Sequence, residues 1–389
     1  MSGLAVPCPA CGAETGEPFL VRTDVPVHQN LPLGSLEEAA AVPRGDLRMV
    51  ACPACGFVFN AAFDPGLLKY GPGYDNDQSH SDAFRRHLDG RLRHLLDERG
   101  VRDSRVVEVG CGNGAFLRRL VEGDAGNLGF GFDPAYRGPD QDLDGRLQFH
   151  RAYYGPEFAS VAADVVVCRH VIEHVPQPIP LLRTIREALG ARPETRVFFE
   201  TPCVEWILRN HVLWDFFYEH CSLYTAHSLE GVFRRAGYHV ESVEHVFGGQ
   251  YLWLEARPSA QPEEAIPSSA NGTERLAREY GEAERSIRAE WDRKLSGWAG
   301  AGKVAVWGAG AKGVTFANLL DPDRERIDCV VDLNPNKQGR RLPGAGHPIV
   351  APQALAGRGV RRAVLMNPNY RLENEQLLRG LDLDVQLVE

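Results

Sequence analysis

The stretch Val106-Val-Glu-Val-Gly-Cys-Gly-Asn-Gly-Ala-Phe-Leu117 decides how this chain is read. A short β-branched run ends in glycines at alternate positions, Gly110, Gly112 and Gly114, and then passes into a helical pattern. Such a turn lets the backbone approach a bound nucleoside, because a Cβ at those positions would collide with it. The spacing is Glu-x-Gly-x-Gly-x-Gly, not the Gly-x-Gly-x-x-Gly of dinucleotide sites.

Working outward, apolar strands are expected at 105–109, 127–132, 163–168, 195–200, 239–245 and 250–256, with helices between most of them. Strands alternating with helices predict a parallel, doubly wound sheet, and the last two, around Gly248-Gly249, read as a terminal hairpin. The glycine run resembles the first motif of class I S-adenosylmethionine (SAM) methyltransferases, whose sheet ends in this way. Methyl transfer is therefore the leading reading.

On that reading the ends of the strands carry the chemistry. Asp133, closing Gly129-Phe-Gly-Phe-Asp133, is placed for the ribose hydroxyls, and Glu108 for the glycine turn and the donor's ammonium. Ala152 and Tyr153 sit where adenine packs, with core packing as the alternative for Tyr153. In Arg169-His-Val-Ile-Glu-His174, His170 is expected near the methionine portion and His174 one turn along, facing substrate; packing of both in the core is the alternative. Methylation of carbon needs a base and oxyanion-stabilising groups. The segment Trp214-Asp-Phe-Phe-Tyr-Glu-His-Cys-Ser-Leu-Tyr224 supplies the candidates Glu219 and His220, a carboxylate expected to orient or polarise a neighbouring imidazole.

Near the N-terminus, Cys8-Pro-Ala-Cys11-Gly12 and Cys52-Pro-Ala-Cys55-Gly56 are two near-identical knuckles. Four thiolates suit tetrahedral Zn²⁺, and a site with four protein ligands has no open position, so the metal is read as structural. His28 lies between the knuckles but is not needed as a ligand. Nine cysteines, an odd number, without a signal-like N-terminus point to a reducing, cytoplasmic setting. A net charge of −9 argues against nucleic-acid binding, and the absence of a long apolar run against a membrane span.

The expected organisation is a zinc module over 1–70, a methyltransferase domain with a preceding segment and helix over 71–257, a linker and helix over 258–301, and a second Rossmann-like domain over 302–389. The polar stretch 71–81 is either a solvated loop or a lid carrying Tyr74 and His80 over the site; a helix follows from 82 to about 99. Leu276, Tyr280, Ile287 and Trp291 give the charged helix 273–298 one docked face. Gly308-Ala-Gly-Ala-Lys-Gly313, with Asp332 ending the next strand, is a fair dinucleotide fingerprint and carries an alternative, an NAD(P)-linked oxidoreductase. A zinc-bearing scaffold without catalysis is a further alternative.

Taken in order, the knuckles, Val107-Glu-Val-Gly-Cys-Gly-Asn-Gly114, Tyr218-Glu-His-Cys-Ser-Leu-Tyr224, Gly248-Gly249 and Asp332-Leu-Asn-Pro-Asn-Lys-Gln-Gly339 resemble the three-part sugar C-methyltransferases of deoxysugar biosynthesis. That family joins a four-cysteine zinc module, a central SAM domain and a C-terminal C-methyltransferase domain, and the resemblance spans the chain. It implies His220 as the base removing a proton α to a ketone, with Glu219 in the same cluster and Tyr74 and His174 lining the substrate carbons. It implies nucleotide-linked 4-keto-deoxysugars as acceptors. It also implies that the C-terminal glycine turn does not hold NAD but is structural or closes the cleft, with Lys312 contacting phosphate. An O- or N-methyltransferase acting on a small natural product remains open beside it.

Overall fold

The computed structural model describes residues 6–68, 73–190, 192–259, 272–300 and 302–389. Residues 71 and 72 of the polar stretch and most of the expected linker over 258–272 lie outside the described residues. Three β-sheets, flanked by helices, make a mixed α/β protein.

The first sheet is antiparallel and joins Leu20–Pro26, Arg44–Ala51 and Val58–Asn60 to the short strand Ser222–Leu223. The two knuckles beside it have matching bonds. Gly12 N–H donates to the Cys8 carbonyl at 2.8 Å and Gly56 N–H to the Cys52 carbonyl at 2.9 Å. Both glycines have positive φ, +77° and +72°, a conformation that side chains resist.

The central sheet has eight strands. From one edge to the other they run Tyr238–Val246, Tyr251–Pro258, Arg196–Pro202, Val165–Arg169, Arg105–Val109, Leu128–Phe132, Leu147–His150 and Gln141–Asp142. The five middle strands from Arg196–Pro202 to Leu147–His150 are parallel, and the expected terminal hairpin is antiparallel. The order reverses at Arg105–Val109, whose neighbours are Leu128–Phe132 and Val165–Arg169, so ligand chemistry is expected at its carboxyl end. Val106, Val107, Val165, Val166 and Val167 are fully buried because helices cover both faces, which explains their continuous apolar run.

The helix expected over 82–99 starts where Ser81 Oγ accepts the Phe84 N–H, and runs as Asp82–Arg93. It then widens into a π-type turn over His94–Glu98, where His94 is buried against Glu255 at 2.6 Å. The third sheet is wholly parallel, in the order Ile349–Val350, Ile327–Val331, Lys303–Trp307, Val360–Leu365, Gln386–Val388. The helix Thr273–Ala299 buries Leu276, Tyr280, Trp291 and Leu295. No helix among the described residues is long and apolar enough to cross a membrane.

Candidate active site and cysteine cluster

The turn after Arg105–Val109 holds Gly110, Gly112 and Gly114 at φ +71°, +55° and +76°. A Cβ on Gly110 would meet Val171 Cγ2 at 2.2 Å, and one on Gly114 would meet the Phe149 ring at 2.4 Å. At Gly112 a Cβ would meet nothing within 4 Å, so this is where the turn opens onto space for a ligand. Asp133 sits beside it, its Oδ2 accepting the Gly112 N–H at 3.0 Å and its Oδ1 the Ala135 N–H at 2.7 Å. Glu108 is buried, and its Oε2 has no hydrogen-bond partner among the described residues. Burial pushes its carboxyl up to about 8 despite the nearby Arg169 guanidinium. An open glycine turn, a carboxylate bonded beside it and an orphaned buried oxygen together fit a nucleoside carrying an ammonium group. Tyr153 is 79% exposed, which removes core packing as its role.

A cavity of about 230 Å³, whose lining does not include the glycines of this turn, gathers other candidate residues. Its walls include the stretch with Tyr74 and His80, the His170–His174 run, Glu219 and His220, and the C-terminal turn from Gly308 to Gly313. The described part of the polar stretch, residues 73–81, thus contributes to the cavity wall, and residues of the C-terminal region bond to it. Asn334 Nδ2 donates to Asp75 at 3.0 Å, and Glu373 accepts from Ser81 Oγ and from the Ala83 N–H, both at 2.7 Å.

His220 is half-buried on the cavity wall. Its ring stands edge-on to His174 at 4.9 Å between centroids and tilts over Phe217 at 4.1 Å. Burial, together with the neighbouring His174, His170 and Lys312, pushes its pKa well below that of an ordinary imidazole. The ring is thus neutral near pH 7 and has a lone pair to offer.

Three site expectations change. Glu219 does not bond His220: its Oε2 accepts the Gln29 N–H at 2.9 Å and its Oε1 lies 4.0 Å from His28 Nδ1. The carboxylate that reaches the two imidazoles is Glu173, whose oxygen lies within 4.8 Å of His174 and His220 ring nitrogens. His170, expected at the donor, has both ring nitrogens taken by carboxylates, Nε2 at 2.9 Å from Glu200 and Nδ1 at 3.3 Å from Glu173, and it lines the cavity. Burial opposes charging of His170, but the two carboxylates prevail and raise it to about 9. Lys312 does not wait for phosphate: its Nζ pairs with Asp215 at 2.8 Å and lies 5.4 Å over the Trp206 ring.

Sequence reasoning missed Glu173, Glu200 and Asp215. Glu173 lay inside the quoted Arg169–His174 run and was signalled by the histidine next to it. Glu200 lies within the buried strand Arg196–Pro202 and gathers His87 at 2.8 Å, His170 at 2.9 Å and Arg169 at 3.1 Å, a convergence from distant segments that spacing does not reveal.

The four knuckle cysteines converge. Cys8 and Cys55 sulfurs lie 3.7 Å apart, those of Cys11 and Cys52 3.5 Å, and all four fall within 4.8 Å of one another. Sulfurs at about 2.3 Å from a tetrahedral Zn²⁺ stand ~3.8 Å apart. The cluster is compatible with zinc.

Residues 83–243 match the family described as a methyltransferase domain, and residues 269–379 the C-methyltransferase C-terminal domain. The chain is 27% identical over 387 residues to C-methyltransferase NovU of Streptomyces niveus, covering 94% of this chain and 90% of that protein. It is 29% identical over 127 residues to a ubiquinone biosynthesis O-methyltransferase of Yersinia enterocolitica, covering 28% of this chain and 48% of the other. Among solved structures, the dimethyltransferase RosA of Streptomyces davawensis aligns with a TM-score of 0.36 at 20% identity, over 45% of this chain and 54% of its own. The sheet order, the glycine turn and the methyltransferase-domain match define a SAM-dependent methyltransferase. A C-methyltransferase C-terminal domain match follows it, and the similarity to a C-methyltransferase extends over nearly the whole chain. The glycine turn over 308–313 thus lies in that domain, which displaces the oxidoreductase reading.

Proposed function

We propose that the protein methylates a carbon α to a ketone in a small-molecule acceptor, with His220 as the base and a nucleotide-linked keto-deoxysugar as the acceptor class. The observation that carries the reading is His220 itself, a neutral imidazole on the wall of a cavity lined also by the polar stretch and the C-terminal turn. SAM supplies a methyl on a positively charged sulfur and departs as a neutral thioether. Gly110, Gly112, Gly114 and Asp133, with Glu108, Ala152 and Tyr153, form the donor site.

His220 takes the α-proton on its ring nitrogen, and the C–H electron pair passes into an enolate. Tyr74 and His174 line the same cavity and donate hydrogen bonds to the enolate oxygen, where charge develops. Held against the glycine turn, the donor would offer its methyl to the enolate carbon. Glu219 acts at one remove, fixing the loop before His220 through Gln29. Cys8, Cys11, Cys52 and Cys55 hold a structural Zn²⁺.

Solvent deuterium exchange at the α-carbon of a nucleotide-linked 4-keto-deoxysugar, measured with S-adenosylhomocysteine present, tests this. The wild type exchanges; His220→Ala loses exchange and turnover but still binds SAM. Methyl transfer without exchange would move the acceptor atom to oxygen or nitrogen, and full activity in His220→Ala would remove the base.

A further inference from the structure

The group around His220 contains more charge than one proton transfer needs. Glu173 is fully buried on the short turn Ile172–His174. Its Oε2 accepts from Thr201 Oγ1 at 3.1 Å and its Oε1 from His170 Nδ1 at 3.3 Å, while the same carboxylate stands within 4.8 Å of His174 and His220 nitrogens. Glu200 is also fully buried and is matched by Arg169 and His170. Two buried carboxylates, Glu173 and Glu200, therefore stand against the half-buried Arg169 and His170, with His87 also on Glu200 at 2.8 Å, so a charge arriving at His220 adds to a set already paired.

We infer that Glu173 is the positioning residue that carries the countercharge of the base, and that His170 is its opponent: Glu173 favours the imidazolium formed at His220 and steers its proton to His174, while His170 keeps the resting ring neutral. This rests on the proposed role of His220. The electron and proton count closes without any co-reactant. The α-proton moves to His220, an N–H of the resulting imidazolium is surrendered to the lone pair of His174, and His174 releases it to solvent. Glu173 itself neither gains nor loses a proton.

The other charged groups facing His220 do not replace this pair. Lys312 comes from the C-terminal turn already neutralised by Asp215. Glu219, on its own segment, is turned toward Gln29 and His28. On the polar stretch, His80 and Asp77 lie 3.9 Å from each other. Glu173 and His170 remain as the two groups of opposite sign built into the same buried network as the bases.

The test is the pH profile of kcat/KM in the full-length protein, with α-proton exchange read alongside. A charge within about 4–6 Å shifts a pKa by ~1–3 units. Glu173→Gln removes a negative charge and should move the acid limb to lower pH, with the plateau falling by ~10-fold or more as the base weakens. His170→Gln removes a positive charge and should move the same limb to higher pH. Glu173→Asp keeps the charge and should restore the position of the limb. Shifts of opposite sign support the inference, since lost packing alone would not produce them. Unmoved limbs, or limbs moving in the same direction, overturn it. If the wild type showed no α-exchange at all, the carbon-acid reading would fail instead, so the two failures are distinguishable.

Discussion

Replacing Gly112 by alanine separates donor binding from folding. The residue has φ +55°, and an added Cβ would meet no protein atom within 4 Å. The cost to the free protein is then the left-handed backbone alone, roughly 1–2 kcal/mol. For a domain of this size that lowers Tm by about 2–8 °C. In the complex the same methyl projects into the space assigned to the donor. Overpacking of one methyl costs ~1–3 kcal/mol, or roughly 5- to 150-fold in Kd. Gly114→Ala is the control: its Cβ would come within 2.4 Å of Phe149, which is buried and stacked on Tyr136 at 4.1 Å. Backbone strain and overpacking add there, so the expected loss is about 5–15 °C in Tm. Isothermal titration with SAM and with S-adenosylhomocysteine, alongside thermal melts of both variants, reads the two effects. Undiminished affinity in Gly112→Ala, with the small Tm loss present, would place the donor somewhere other than against this turn.

Cys52→Ser should lower bound zinc measured by plasma mass spectrometry and reduce turnover more than SAM affinity, because Val58–Asn60, next to that knuckle, pairs with Ser222–Leu223 beside His220; unchanged metal content would refute the four-sulfur site. Glu108→Gln should flatten the loss of stability that runs from pH 4.5 to about 8. The folded carboxyl is raised from 4.5 to about 8, so the unfolded chain gives up its proton first and wild-type stability falls as pH climbs across that window. Melts of the ligand-free proteins across the window should show the variant gaining on the wild type, and parallel curves would mean that burial does not perturb this group.

The central fold was legible because its signals are local. Val106–Val109 followed by alternate glycines, and two late strands around Gly248-Gly249, specify elements from adjacent residues. Both cysteine knuckles could be paired because each is complete within five residues. What stayed hidden depends on contacts between distant segments. Ser222–Leu223 is too short to announce a strand and exists only because Val58–Asn60 offers it an edge. Glu219 stands next to His220 in the chain, and adjacency suggested a working pair. Adjacent side chains in an irregular segment need not point the same way, and here they diverge, one to Gln29 and the other to His174. Lys312 had the right chemistry for phosphate, but nothing in its neighbourhood foretold that Asp215 would neutralise it.

That dispersal explains why so many parts of the chain converge on one segment. Residues 213–223 hold little structure of their own, a turn at Leu213–Asp215 and the two-residue strand at Ser222–Leu223. Fixing such a stretch costs roughly 1–2 kcal/mol per residue in backbone entropy. The offset comes from both flanks. From the N-terminal side, Arg22 donates to the carbonyls of Leu213 and Phe216 at 2.8 and 3.2 Å, Gln29 holds Glu219, and Asn60 N–H donates to the Cys221 carbonyl at 2.9 Å. From the C-terminal side, Lys312 holds Asp215 and the Met366 carbonyl accepts from Trp214 Nε1 at 3.2 Å. A base must be held within about 0.5 Å of its productive position, and side chains are held that closely only when their supports are themselves rigid. The N-terminal sheet with its following loop and the C-terminal region, neither of which carries the proposed base, thus bear on the proposed catalysis through a segment that both of them hold.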